Sequence, residues 1–307
     1  MTDIEDPRFR QGPRKPPVAR RSSSGADAPR EAESGPPGSE RLQKVLADAG
    51  LASRRDCELA VKAGRIRVNG RPVRTLPCWV LPDNDLVEFD GEVVDLARRG
   101  RLQRDYLYFA VNKPKGIIST ARDPEGRAHV VDLVSAAVPR GQRVYPVGRL
   151  DADSTGLVLL TNDGDLTHRL AHPRHEVEKR YRVTLEGQLD PATIEVLKKG
   201  VYLADPSAIA RSKAGGGGGG GKRASVKALR VLRSHRDRRS GGWSLVELTL
   251  GEGQNREIRR LMARVGLKVR KLERISIGPL QLGALKPGEY RTLRPEEIMA
   301  LRRAVLL

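Results

Sequence analysis

The stretch VYPVGRLDADSTGLVLLTNDGDL holds the residues best placed for chemistry. An apolar run reaches Val147, breaks at Gly148, and presents Arg149, Leu150 and Asp151 before the strand-like GLVLLT resumes. A carboxylate in a tight loop beside an arginine suits work on a polyanionic ligand, because a nearby opposite charge lowers its pKa and keeps it ionised. A loop aspartate more commonly serves as a turn or capping residue, so spacing alone does not decide its role. In NREIRRLMARVG, Arg256, Arg260 and Arg264 recur every four residues, on a helix face away from Ile258 and Leu261. His168 and His172 stand at i, i+4 with His175 nearby, but no HExxH pattern or other convergent ligand accompanies them, and no metal is expected.

These residues need elements to hold them. YLYFAVNKP, GLVLLT, RYRVTLEG and WSLVELTLGEG read as strands, with a turn at Asn162, Asp163 and Gly164. DLTHRLAHP and NREIRRLMARVG read as helices, the second with Ile258, Leu261, Met262 and Val265 on one face. Strands following one another with few helices between them predict an α+β architecture with a mainly antiparallel mixed sheet over 104–303, not a Rossmann pattern. Leu157 and Leu160 are expected in the core beneath the loop. Lys113 and Lys115 read equally as plain surface lysines or as groups behind a pocket.

Upstream, Leu42, Val45, Leu46 and Ala49 repeat at the spacing of one buried helix face, and Gly50 supplies a stop. Ser53 and Asp56 form a capping pattern that opens a second helix, ending at Gly64. Asn69-Gly70 and Asp90-Gly91 are hairpin signals. The apolar residues face a core, leaving Arg54, Arg55, Arg65, Arg67 and Arg71 to project outward.

The 307-residue length fits two compact units plus flexible extras, and 57 Lys+Arg against 38 Asp+Glu leave a net charge of +19, which favours polyanionic partners. Residues 1–39 hold 7 Pro, 4 Gly and 5 Ser with a net charge of +1, and are expected to be disordered. The basic excess lies instead in 40–76 (+5) and 254–274 (+6), two candidate phosphate contacts that solvated helix faces would also explain. Seven glycines, Gly215 to Gly221, have no following GK[ST] and predict a flexible insertion over 211–224, in a hairpin or between strands. No run is long and apolar enough for a membrane span, and the N-terminus lacks a signal peptide's apolar core, so a cytoplasmic location is expected. Cys57 and Cys78 have no CxxC spacing, which argues against a disulfide scaffold or a cysteine zinc site.

From ERLQKVLADAGLASRRDCELAVKAGRIRVNG onward, residues 40–98 resemble an S4 RNA-binding domain, in which two short helices and a small sheet dock on structured RNA. GRLDADSTGLVLLTNDG resembles the signature of pseudouridine synthases of the RsuA/RluB type. VNKPKGIIST, EKRYRVTL and GEGQNREIRRLMARVG follow in the family's order. The resemblance implies isomerisation of uridine in RNA, the N1–C1′ bond being cut and the base rejoined through C5, with no cofactor. It places the essential aspartate at Asp151, a tyrosine that packs on the flipped base at Tyr181, and a basic partner for the aspartate at Arg259. It also implies that Arg149 helps displace the target base, and that Arg256 and Arg260 contact RNA beside the site. Glu257 stands where some relatives carry glutamine, which bears on the choice of Arg259 over its neighbours. RDPEGR and HPRHEVEKRY lean toward the large-subunit branch, implying a uridine in 23S rRNA or a precursor particle as target and a monomeric enzyme. A 16S rRNA target, a noncatalytic ribosome-assembly factor, and a hydrolytic glycosidase using Asp151 with Asp153 are the rival readings. The last is disfavoured because its two acids must flank the scissile bond.

Overall fold

The computed structural model describes residues 35–96, 106–204, 221–237, 242–251 and 256–307. Residues 1–34 of the expected tail and 211–220 of the expected insertion lie outside them. Residues 35–39 are described and contain a turn in which the Ser39 amide donates to the Pro36 carbonyl. The chain divides into two compact units between Ala97 and Arg98.

In the first unit, β1 (Glu40–Arg41) runs into α1 (Leu42–Asp48), and α2 (Arg54–Lys62) follows. The Ser53 side chain accepts from the Asp56 amide, so the capping pattern does open α2. A four-stranded sheet has the order β3-β2-β5-β6, from β2 (Ile66–Val68), β3 (Arg71–Val73), β5 (Val87–Phe89) and β6 (Glu92–Val93), while β4 (Trp79–Val80) pairs with β1. Asn69-Gly70 and Asp90-Gly91 all have positive φ, the conformation a two-residue turn needs to match the strands' twist. Leu42, Val45, Leu46, Cys57, Val61 and Ile66 are wholly buried in one cluster.

The second unit carries a nine-stranded sheet. Its strands are β7 (Tyr108–Lys113), β8 (Tyr145–Pro146), β9 (Thr155–Thr161), β10 (Lys179–Glu186), β13 (Ala228–His235), β14 (Trp243–Leu250), β15 (Lys268–Ile277), β16 (Leu280–Gln281) and β17 (Tyr290–Thr292). The main path runs β13-β14-β10-β15-β9-β7-β17, all antiparallel except β9 with β15. A separate ribbon pairs β11 (Val201–Ala204) with β12 (Gly221–Ala224). The end of the expected insertion, 221–224, is therefore strand, because its backbone finds hydrogen-bond partners in β11.

Strand alternation sorts side chains to two apolar clusters. Phe109, Val111, Val158, Leu160, Val183 and Leu185 face one layer with Ile258, Leu261 and Met262 of α5 (Glu257–Arg264). Tyr108, Ala110, Leu157 and Leu159 face the other, against α3 (Gly164–Ala171) and α6 (Pro295–Arg303), with α4 (Pro191–Lys199) lying between β10 and β11 in the chain. Leu157 and Leu160 are both core, but on opposite faces of β9.

Asn162-Asp163-Gly164 is a helix start instead of a bare turn. The Asp163 carboxylate caps α3 by accepting from the Leu166 amide, and also accepts from the Tyr108 hydroxyl and Arg302. Burial, then the Asp163 hydrogen bond, pushes the Tyr108 phenol well above its ordinary pKa. With Asp163 itself buried, Asp163→Ala is expected to cost about 3 kcal/mol, since it strands a charge, a phenol and a helix end at once. An earlier urea midpoint at unchanged m-value reads this loss; an unshifted midpoint contradicts it.

Candidate active site

The loop between β8 and β9 is fastened at several points. Ser119 and Leu150 exchange hydrogen bonds, the Leu150 amide donating to Ser119 Oγ (3.1 Å) and that hydroxyl donating to the Leu150 carbonyl (2.9 Å). The Gly116 amide donates to the Ala152 carbonyl at 2.7 Å, and the Ser154 amide closes a turn onto the Asp151 carbonyl at 3.1 Å. Leu150 is buried in the core cluster while the Arg149 side chain is exposed. The Asp151 carboxylate that follows them is 30% exposed. The buried Leu150 and the backbone bonds at Asp151 and Ala152 fix the chain on either side of this partly exposed carboxylate.

β15 makes the loop's return path possible. Gly156 lies opposite Arg274, and a Cβ at Gly156 would stand 2.4 Å from the Arg274 carbonyl oxygen, so only glycine permits the parallel approach. Arg274 is itself buried. Its guanidinium donates from Nε to the Leu157 carbonyl (2.7 Å) and from Nη1 to the Arg149 carbonyl (3.4 Å), tying together the two ends of the aspartate loop. Lys113 is fully buried too, and is no surface lysine. Its ammonium donates to the Pro114 and Ile117 carbonyls (2.9 and 2.7 Å), shaping the segment that holds Ala152. Lys115 is exposed.

Helix α5 brings the arginines. Arg256, the residue ahead of the first turn, has a left-handed backbone and reaches back to the loop. Its Nη1 lies 3.6 Å from Asp151 Oδ2 and its Nη2 3.5 Å from Asp153 Oδ2. Arg259, expected to pair with Asp151, instead pairs with Asp153, Nη2 to Oδ2 at 3.1 Å, and donates from Nη1 to the Val269 carbonyl at 3.2 Å. The reason is placement: Arg259 sits one turn into the helix and is drawn inward by Val269, so the residue at the helix mouth is the one facing Asp151. Tyr181 lies on β10 between Leu248 of β14 and Arg274 of β15, buried in the cluster that also holds Leu150 and Ile258. Asp151, Asp153, Arg256 and Arg259 therefore meet at the loop, with Tyr181 paired to Arg274 on the strand beneath it, the Arg149 side chain exposed and Arg260 half-buried along the helix.

Sequence reasoning overlooked Arg274, Ser119 and the role of Asp153 as the arginines' partner. Arg274 had a readable signal, since it falls in phase with Leu272 and Ser276 on the buried side of a strand, where a charge is out of place. In the first unit Arg54, Arg55, Arg65 and Arg67, the arginines expected to contact RNA, are all exposed. Arg65, however, is committed to the Asp90 carboxylate and lies 4.5 Å over the Phe89 ring, because the Asp90-Gly91 turn returns directly beside it. Arg54 stands 3.9 Å from Asp48, while Arg55 and Arg67 make no ion pair among the described residues.

Burial pushes the Lys113 ammonium down to about 8, Asp153 and Asp151 acting against that fall and Arg274 adding to it. Its ordinary value is 10.5, so between about pH 8 and 10.5 the unfolded chain binds more protons than the folded one. Stability therefore rises with pH across that window. Lys113→Met is expected to reduce this alkaline gain in urea midpoint; a slope identical to the parent's sinks the expectation.

Comparison with known proteins identifies the family. The family model described as RNA pseudouridylate synthase matches residues 107–264, and the S4 domain model matches residues 40–76. An uncharacterised RNA pseudouridine synthase of Mycobacterium tuberculosis is 40% identical over 273 residues, covering 89% of this chain and 97% of the relative. A Bacillus subtilis protein named ribosomal large subunit pseudouridine synthase B is 37% identical over 263 residues, covering 86% and 96%. A crystal structure of a pseudouridylate synthase superposes with a TM-score of 0.54 at 28% identity, covering 85% of this chain and 99% of that one. With its S4 domain, its mainly antiparallel synthase sheet and these relatives, the chain belongs to the RsuA/RluB branch of the RNA pseudouridylate synthase family, isomerases that act on RNA.

Proposed function

We propose that this enzyme converts a uridine of ribosomal RNA, in the large-subunit 23S molecule, to pseudouridine, with Asp151 as the essential carboxylate. The observation that carries the reading is the convergence on one surface loop of Asp151, the Arg256 guanidinium at 3.6 Å and the exposed Arg149. The ribosomal target is supported by the relative from Bacillus subtilis whose name specifies the large subunit.

Cleavage of the N1–C1′ bond requires a carboxylate at the ribose, either attacking C1′ or removing the C2′ proton. Arg256 orients that carboxylate by holding Oδ2. Tyr181 offers the face on which the extruded uracil packs while it turns to present C5, and the core around it excludes water. Arg149, exposed and unpaired among the described residues, is placed to enter the space that the target leaves in the RNA stack. Arg259 acts at one remove, fixing Asp153 and so the turn that begins at Asp151. The S4 unit adds phosphate contacts through Arg54, Arg55 and Arg67, with Arg65 reserved for Asp90. No step in this scheme draws on a cofactor.

Asp151→Asn is expected to lower turnover by about 10²- to 10⁴-fold with RNA affinity retained. Measured on 23S transcripts, full turnover in that variant would overturn the assignment of Asp151. Pseudouridine maps of rRNA from cells with and without the gene test the target: a lost 23S site supports it, whereas a lost 16S site or an unchanged map refutes it. Replacing Arg55 and Arg67 with Gln is expected to flatten the slope of log K against log salt by about 0.7 to 0.9 per residue. An unaltered slope would remove these side chains from the interface.

A further inference from the structure

The β11–β12 ribbon carries groups that the reaction at Asp151 does not use. Alternation along it sends Leu203 and Ala224 into the core, while Tyr202 is 65% exposed and its cross-strand partner Arg223 is also exposed. A lone exposed aromatic means little by itself. Here the surroundings give it meaning. Arg264, the last residue of α5, donates from Nε to the Tyr202 carbonyl at 3.2 Å, which fastens the ribbon to the helix that also serves the aspartate loop. Along one side of that helix run Arg256, Arg260 and Arg264 at four-residue spacing.

Arg256 and Arg264 stand eight positions apart, about 12 Å along a helix axis. That is the rise of roughly three to four stacked nucleotides at about 3.4 Å each. A line of positive charge thus starts at Asp151 and ends at an open tyrosine ring. The ring takes part in no aromatic or cation–π contact among the described residues, where such stacks are made instead by Arg41 on Trp79, Arg65 on Phe89 and Arg302 on Tyr106. Neither Arg223 nor Arg264 pairs with a carboxylate among the described residues. Guanidinium groups without a carboxylate partner, beside an unstacked π face, are what a single RNA strand binds, phosphates on the cations and a base on the ring.

We propose that the β11–β12 ribbon is a stacking platform for an unpaired nucleotide of the substrate RNA, about three to four positions from the target uridine. Tyr202 supplies the ring, and Arg223 and Arg264 take the flanking phosphates. This deepens the reading of Asp151 as the reaction centre and rests on it for the direction of the strand. The occupant is RNA and not a protein, because the patch pairs an exposed aromatic ring with cations that meet no carboxylate among the described residues.

The test uses full-length enzyme and 23S transcripts. Tyr202→Ala is expected to raise both KM and the directly measured Kd by about 5- to 100-fold while turnover at saturating RNA is kept. Tyr202→Phe should restore both, Tyr202→Leu should not, and all three should melt like the parent because the side chain is exposed. Ultraviolet crosslinks from the ribbon should fall three or four nucleotides from the mapped pseudouridine. An unchanged Kd in Tyr202→Ala, full rescue by leucine, or crosslinks remote from the pseudouridine would each overturn the proposal. So would a change of oligomeric state in Tyr202→Ala with RNA binding intact, which would identify the patch as a protein contact. Because Kd is read without turnover, the contribution of Tyr202 to binding stays measurable even if Asp151 proves to have no part in the chemistry.

Discussion

The site depends on a buried cation reading two backbone carbonyls. Arg274 sits inside the sheet at the parallel junction of β9 and β15, where removal of a guanidinium from water is costly unless its hydrogen bonds are replaced. The Leu157 and Arg149 carbonyls replace two of them. Those carbonyls are the two ends of the aspartate loop, so the energy that keeps Arg274 solvated by protein also holds the loop shut. Gly156 makes the arrangement sterically possible, since any Cβ there would collide with the backbone of Arg274. The loop that carries Asp151 is therefore set by the sheet beneath it more than by its own turn chemistry.

Above this base lies a second layer of charge that faces solvent. Arg256 and Arg259 reach Asp151 and Asp153 from a helix more than a hundred residues away in sequence, at separations of 3.1 to 3.6 Å. These are partly exposed pairs, modest in their stabilising effect, and their value lies in orientation. Arg259, the more buried of the two, is doubly anchored through Val269; Arg256 remains at the rim, where an incoming phosphate or ribose can compete for it. One arginine locks the turn while the other faces Asp151.

An enzyme acting on RNA must combine two requirements that pull in opposite directions. Phosphate recognition calls for exposed, unpaired cations, whereas a carboxylate needs a cation committed to it. The chain separates them in space. Arg55, Arg67 and Arg149 are exposed and without ion pairs among the described residues, while Arg65, Arg259 and Arg274 are each tied to a carboxylate or a carbonyl. The same residue type thus occurs in two settings, and the partner each one meets distinguishes them.

Local rules written in neighbouring residues determined much of this molecule. Ser53 caps α2 through an atom three residues away, Asn69-Gly70 and Asp90-Gly91 turn the chain within two residues, and the apolar phase of Ile258, Leu261 and Met262 lays α5 on the core. The family motifs located the aspartate loop, Tyr181 and the arginine helix. What tertiary structure alone decided was who pairs with whom. Arg256 in place of Arg259 at Asp151, Arg65 drawn to Asp90, Lys113 turned inward, 221–224 recruited into a strand, and Arg274 bridging the loop all depend on where distant backbone comes to rest. Arg274 and Leu157 are 117 positions apart, and Arg256 and Asp153 are 103. No periodicity or turn preference spans such distances; only packing of the sheet brings those atoms within reach of one another.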